Sequence, residues 1–170
     1  MHGSTTIGAL LHEEHLHTIA TLQRLEEFLG SQTSRKLPDL GRPEVKAVLE
    51  SLSKELAPEV EIHYGFEEGH LFPLLANAGQ AGMVHLLTSE HRALLPLAKG
   101  LAAMVEAAVA AGQFTAGDWS DFHGQAMDLC EGEVFHIQKE EMGLLAAISA
   151  FVDAAEDERL AAIYGKLSPR

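Results

Sequence analysis

Two segments of the 170-residue chain set a histidine and a glutamate four residues apart, His63-Tyr-Gly-Phe-Glu67 and His136-Ile-Gln-Lys-Glu140. Positions i and i+4 of an α-helix lie one above the other on a single face, so each pair can aim an imidazole and a carboxylate at one spot. His15 and His91 fall midway along two further candidate helices. Register along the chain favours convergence. His63 and His91 each lie 14 residues from Asn77. Antiparallel helices rising ~1.5 Å per residue would hold both at one depth, ~21 Å from that turn. His91 and His136 lie 23 and 22 residues from Phe114, which extends the layer to a third helix. His15 fits less closely, being 15 residues before Gly30 while His63 is 20 after Pro43; a break expected at Pro58 can absorb the difference.

Four imidazoles (His15, His63, His91, His136) and two carboxylates (Glu67, Glu140) in one layer make a candidate metal site. Carboxylates that face inward need a cation or a proton, because an isolated buried charge is costly. Mixed nitrogen and oxygen donors suit Fe, Mn or Zn, whereas Mg or Ca would call for oxygen alone. Six donors exceed the four of a tetrahedral zinc site and point to two metals, each carboxylate bridging them and two histidines terminal on each. A second arrangement also satisfies the spacing. Ferritin-like di-iron bundles use Glu-x-x-His on two helices and a lone Glu on two others. Glu67-x-x-His70 and Glu133-x-x-His136, with Glu14 and Glu90, would supply that set but leave His15, His63 and His91 unexplained.

The elements that must position these residues read as helices punctuated by Gly and Pro, with almost no strand signal. The first helix is expected to start after Ser4, Thr5 or Thr6 and to end near Leu29, before Gly30. Leu11, Ile19, Leu22, Leu25 and Leu29 form its apolar stripe. The second runs from Pro43 to about Ala76 with a kink near Ala57, and Asn77-Ala78-Gly79 is a turn. The third covers about 80–111 with a kink at Pro96, and the fourth about 118–151, capped by Asp118 or Ser120. Residues 153–166 make a short fifth helix, and the tail after Leu167 is expected to fray. The expected fold is all-α: an antiparallel up-down four-helix bundle over about residues 5–151 with a short C-terminal helix, in one domain of 1–170.

Composition bounds the function. Twelve Lys and Arg against 25 Asp and Glu give a net charge of −13, which argues against nucleic acid or an anionic membrane as partner. Hydrophobic residues at 46% rule out intrinsic disorder. One cysteine, Cys130, leaves no internal disulfide and no cysteine-rich metal site. The first residues carry no basic leader, and the longest apolar run, Gly100 to Gly112, is shorter than the ~18 residues of a span, so a cytoplasmic protein is expected. The stretch Leu94 to Ala111 can serve as core or as a homodimer face. No Ser-His-Asp set, P-loop or dinucleotide fingerprint is visible.

The string His63-x-x-x-Glu67-Glu68-x-His70-Leu71-Phe72-Pro73 resembles the second helix of hemerythrin-like (HHE cation-binding) domains. Glu14-His15 resembles their first-helix signature, Glu90-His91 their third and His136-Ile-x-Lys-Glu140-Glu141 their fourth, in the family's order over about residues 8–150. The resemblance implies two Fe ions, oxo- or hydroxo-bridged, with Glu67 and Glu140 bridging, His15 and His63 on one iron and His91 and His136 on the other. Mn or Zn would be accepted by the same donors. Oxygen-carrying hemerythrins have a further histidine one turn after the third-helix one; here that position is Leu95. An open position there favours reactivity or sensing of O₂, NO or peroxide over reversible oxygen storage. If the protein turns over, it would be a di-iron oxidoreductase acting on peroxide or NO. Iron storage or donation, a ferritin-like di-iron oxidase, and a metal-free module docking a basic partner are the alternatives.

Plain structural roles are expected elsewhere. His2, His17, His85 and His123 read as solvated or satisfied, and Glu68 and Glu141 as solvated neighbours of the ligands. Phe66, Trp119, Phe122, Phe135 and Met142 read as core. His12, three residues before His15, is a candidate ligand or outer partner, and His70 is expected to line the cavity or bond a carboxylate.

Overall fold

The computed structural model describes residues 4–168, and among them every regular element is helical. His2 and most of the expected fraying tail lie outside the described residues. Helix α1 spans Thr6–Ser31. Its start is set by two side chains: the Thr5 hydroxyl accepts from the Gly8 N–H at 3.1 Å, and the Asp157 carboxylate accepts from the Thr6 and Ile7 N–H groups, both at 2.8 Å. Free N–H groups at a helix start want acceptors, and an anion there also meets the positive end of the dipole. Asp157→Ala is therefore expected to cost about 1–2 kcal/mol, read as a drop in Tm of several degrees by calorimetry. An unchanged Tm would mean that Asp157 does not hold this end.

Helix α2 spans Pro43–Ser51, with the proline in its first turn and Glu44 behind it. The break expected near Ala57 takes the form of a widened turn at Leu52–Leu56, in which the Ala57 N–H reaches back five residues to Leu52. Pro58 has no N–H to offer Lys54, so the ladder changes pitch just before it. Helix α3, Ala57–Phe66, is followed by a second widened turn, Glu67–Leu71, and by the single turn α4, Phe72–Leu75. The reversal at Ala76–Gln80 places Gly79 at φ +92°, where a side chain would be strained.

Helix α5 spans Ala81–Ala111 as one continuous element and carries Pro96, the expected kink position, inside it. Gly112 at φ +84° ends it. Helix α6, Ala116–Lys139, begins earlier than expected because Thr115, not Asp118 or Ser120, is the cap: its hydroxyl accepts from the Asp118 N–H at 3.1 Å. A third widened turn, Glu140–Leu144, leads into α7, Leu145–Phe151. Asp153 caps the last helix, α8, Ala154–Leu167. One window within Pro43–Ala111 is long and apolar enough to cross a bilayer by length and composition alone, although a core helix passes the same test.

Contacts divide the chain into two compact units. The first gathers the described residues up to His17, Glu59–Arg92, and those from Phe135 on. Its apolar core includes Ile7, Leu11, Phe66, Leu71, Phe72, Leu144, Ile148 and Leu160. The second comprises Thr18–Pro58 and Ala93–Val134. There Trp119 is fully buried among Phe28, Phe114 and Phe122, and its indole N–H donates to the Thr33 carbonyl at 2.9 Å. His123 bonds the Leu29 carbonyl at 2.8 Å, a satisfied structural histidine. Cys130 is buried too; burial, with the Glu26 charge nearby, pushes its thiol up to about 12 and leaves it inert. Phe135 and Met142 are not core: they stand 54% and 82% exposed. Their helices bury other faces, led by Ile137 on α6 and Leu144 in the turn.

Candidate metal centre

All six sequence-selected residues meet in the first unit. His15 comes from α1, His63 from α3, His91 from α5 and His136 from α6, while Glu67 and Glu140 each open a widened turn. The Glu67 and Glu140 carbonyls accept from Phe72 and Leu145, five residues on rather than four. Such turns are frequent at functional sites. Here they let each carboxylate continue the face of the histidine one turn before it, while Leu71, Phe72 and Leu144 just beyond return to the core. They also displace His70, whose ring lies 5.9 Å from Phe66 rather than among the six.

Each carboxylate presents one oxygen to each pair of histidines. Glu140 Oε2 lies 2.9 Å from His15 Nε2 and 3.6 Å from His63 Nε2, and its Oε1 lies 2.8 Å from His136 Nε2 and 3.7 Å from His91 Nε2. Glu67 Oε1 lies 3.0 Å from His63 Nε2, and Oε2 3.3 Å from His91 Nε2. Two overlapping groups result, His15–His63–Glu67–Glu140 and Glu67–His91–His136–Glu140, whose donor atoms all fall within 4.8 Å of one another inside each group. All six residues are buried. Glu133 and His70, which the ferritin-like arrangement requires, belong to neither group.

The backs of the histidines are also occupied. His15 Nδ1 meets Glu141 at 2.5 Å, His91 Nδ1 meets Glu68 at 3.0 Å, and His136 Nδ1 meets Glu90 at 2.7 Å. Glu68 and Glu141, 43% and 29% exposed, are the solvent-facing neighbours expected from sequence and are also partners of the histidines, because the i+1 position after each inward carboxylate reaches a histidine on another helix. His12 is an outer partner: its Nδ1 meets the second Glu141 oxygen at 2.8 Å. Lys139 does the same for Glu90. A histidine that donates Nδ1–H to a carboxylate carries its lone pair on Nε2, fixed in direction and made more basic.

Those lone pairs converge. The His91 and His136 Nε2 atoms lie only 3.1 Å apart. His15 Nε2 and all four oxygens of Glu67 and Glu140 are buried without a hydrogen bond, although ion-pair distances separate them from their neighbours. The atoms are close but not aligned on one another, as expected of donors aimed at a shared point. Orphaned polar atoms at this density are expensive to bury, and cations at the two foci would satisfy them. The donor set fits two borderline metals with mixed nitrogen and oxygen ligation.

Electrostatics agree. Burial alone would lower the His63 and His91 pKa values, but the Glu67 and Glu140 carboxylates beside them prevail, holding His63 well above its ordinary value and raising His91 to about 9. Burial would raise Glu140, and the imidazoles of His136, His15, His63 and His91 beside its oxygens hold it well below the carboxylate range instead. Without metal, protons do the work of the cation.

A family model described as the hemerythrin HHE cation-binding domain matches residues 6–148. The chain belongs to this family. No curated protein matches it. The match covers all six residues in this HHE domain, from His15 in α1 to Glu140 in the widened turn after α6, and α8 lies beyond it. The family binds metal cations, and the buried histidine–carboxylate cluster is the place in this chain that can hold them.

Sequence reasoning missed three features of the centre. Tyr64, buried, stacks its ring on His91 at a centroid distance of 3.6 Å and an interplanar angle of 8°, and Phe72 lies 5.5 Å from the same imidazole. The bonds of Glu68, Glu90 and Glu141 to the histidines are the third feature. Their signal was present: Glu68, Glu90 and Glu141 each adjoin a candidate ligand in sequence.

Proposed function

We propose that this chain is a non-haem di-iron protein that binds O₂, NO or peroxide, acting as a sensor, scavenger or redox protein. The observation that carries the reading is the division of oxygens, one from Glu67 and one from Glu140 to each histidine pair. His15 and His63 would hold one iron, His91 and His136 the other, and the two carboxylates would bridge. A bound pair of irons supplies reversible one-electron chemistry and a coordination position for a small ligand. The residues do the rest. Glu141, Glu68 and Glu90 fix the imidazole planes, and Tyr64 and Phe72 wall His91. The scaffold is read as an antiparallel up-down four-helix bundle with α8 as a short fifth helix. An acidic chain of this kind suits a cytoplasmic setting and a small-molecule ligand rather than nucleic acid or membrane.

Elemental analysis of the purified protein is expected to give about two irons per chain, and its near-ultraviolet bands are expected to change on reduction and on adding NO or peroxide. One zinc per chain, or iron whose spectrum ignores O₂, NO and peroxide alike, would overturn the reading.

A further inference from the structure

The two metal positions are not built alike, and the difference lies behind the histidines. Both imidazoles of one position are anchored at Nδ1, His91 by Glu68 and His136 by Glu90, and Glu90 is itself held by Lys139. The same pair is locked by packing: Tyr64 stacks face to face on His91 and stands edge-on to His136 at 5.3 Å, and both histidines are 1–2% exposed.

The other position has one anchor for two histidines. His15 is tied to Glu141, whose second oxygen is shared with His12, a residue 49% exposed. Among the described residues, His63 meets carboxylates through Nε2 only, at 3.0 and 3.6 Å, and its side chain is 8% exposed. Its nearest rings are His15 at 5.1 Å, tilted by 44°, and Tyr64 at 6.3 Å, so no flat surface fixes its plane. Anchored, oriented imidazoles bind metal more tightly, and losing an outer partner typically costs ~10–100-fold in affinity.

We propose that Glu68 and Glu90, with Lys139, are positioning residues that make the His91/His136 position fill first and hold its metal, leaving the His15/His63 position as the exchangeable one. The proposal rests on the di-metal reading above and adds an order of filling to it. An ordered centre has a consequence for function: a chain holding one metal is a defined species, and gain or loss of the second can switch the site.

Anaerobic titration of the metal-free full chain with Mn(II), followed by electron paramagnetic resonance, tests this directly. The first equivalent is expected to give the six-line signal of an isolated ion, and the second to replace it with a broad spin-coupled spectrum. Glu90→Gln and Glu68→Gln, both close to isosteric, are expected to weaken the first step ~10–100-fold, while Glu141→Gln weakens only the second. Lys139→Arg is expected to restore the wild-type order that Lys139→Met erodes, and unchanged circular dichroism would show that folding is intact in each variant. A coupled spectrum from the first addition, or Glu141→Gln weakening the first step, would overturn the proposed order while leaving a dinuclear site in place. A wild-type chain that binds no Mn or Fe would overturn the di-metal reading, and the order with it.

Discussion

Glu140→Ala is expected to reduce bound iron from about two per chain to one or none, with loss of any near-ultraviolet band that depends on a paired centre. The expectation follows from position. Glu140 is the one side chain of the cluster whose oxygens come within 3.7 Å of the Nε2 atoms of all four histidines, from 2.8 Å at His136 to 3.7 Å at His91. Glu67 reaches His63 and His91, so Glu67→Ala removes less and is expected to leave some mixed or single occupancy. Glu140→Ala removes a negative charge from a buried site that would have to balance two cations, and Coulomb energies are large where water is excluded. Glu140→Gln keeps the volume but not the charge, and separates charge from shape: metal content close to that of Glu140→Ala would show that charge decides. The check is elemental analysis beside an absorption spectrum. Retention of about two irons in Glu140→Ala would mean that Glu140 neither bridges nor balances the centre.

The depth argument from sequence worked for His63, His91 and His136 because helix rise is a constant of the backbone, and 14 residues on either side of Asn77 need no knowledge of packing. Nothing in the spacing could place His15, since a long connection separates it from the next helix and loops obey no fixed rise. It joined the same layer all the same, at 2.9 Å from Glu140. Widened turns were invisible for another reason. Their only local cue is a proline such as Pro58 or Pro73, and Glu140–Leu144 has none. Outer carboxylates look like solvated charges by composition, and become partners only when another helix supplies a histidine within ~3 Å. Phe135 and Met142 mark the opposite error, in which apolar type was taken for burial. Hydrophobic residues often remain at the surface, and single exposed ones carry no signal. Pro96 sits inside the continuous helix α5, where Leu94, Ala98 and Leu101 around it are buried.

Removal of metal is expected to make stability fall as pH rises from about 6.5 to 9, the opposite of what neutralising histidines does in an ordinary core. In the folded chain His91 is raised to about 9 from its ordinary 6.5, and His63 is held well above 6.5 too. A group whose folded pKa is raised contributes stability that is complete below its unfolded value and disappears as pH climbs through the folded one. Glu140 has the reverse sign. Its pKa is depressed, so its contribution is present above 4.5 and is lost only as pH falls well below that. Metal-free protein should therefore be most stable between about 4.5 and 6.5. Above that window, the His91 shift alone corresponds to a loss on the order of 3 kcal/mol, or roughly 6–12 °C in Tm for a chain of this size. Metal reverses the dependence. Bound cations supply the positive charge that protons otherwise provide, and metal binding displaces those protons, so affinity strengthens with pH. The gap in Tm between loaded and chelator-treated protein should widen steadily from pH 6.5 to 9. Calorimetric scans of both forms across that range measure it, and parallel curves would show that the carboxylates of the cluster do not hold protons on His63 and His91.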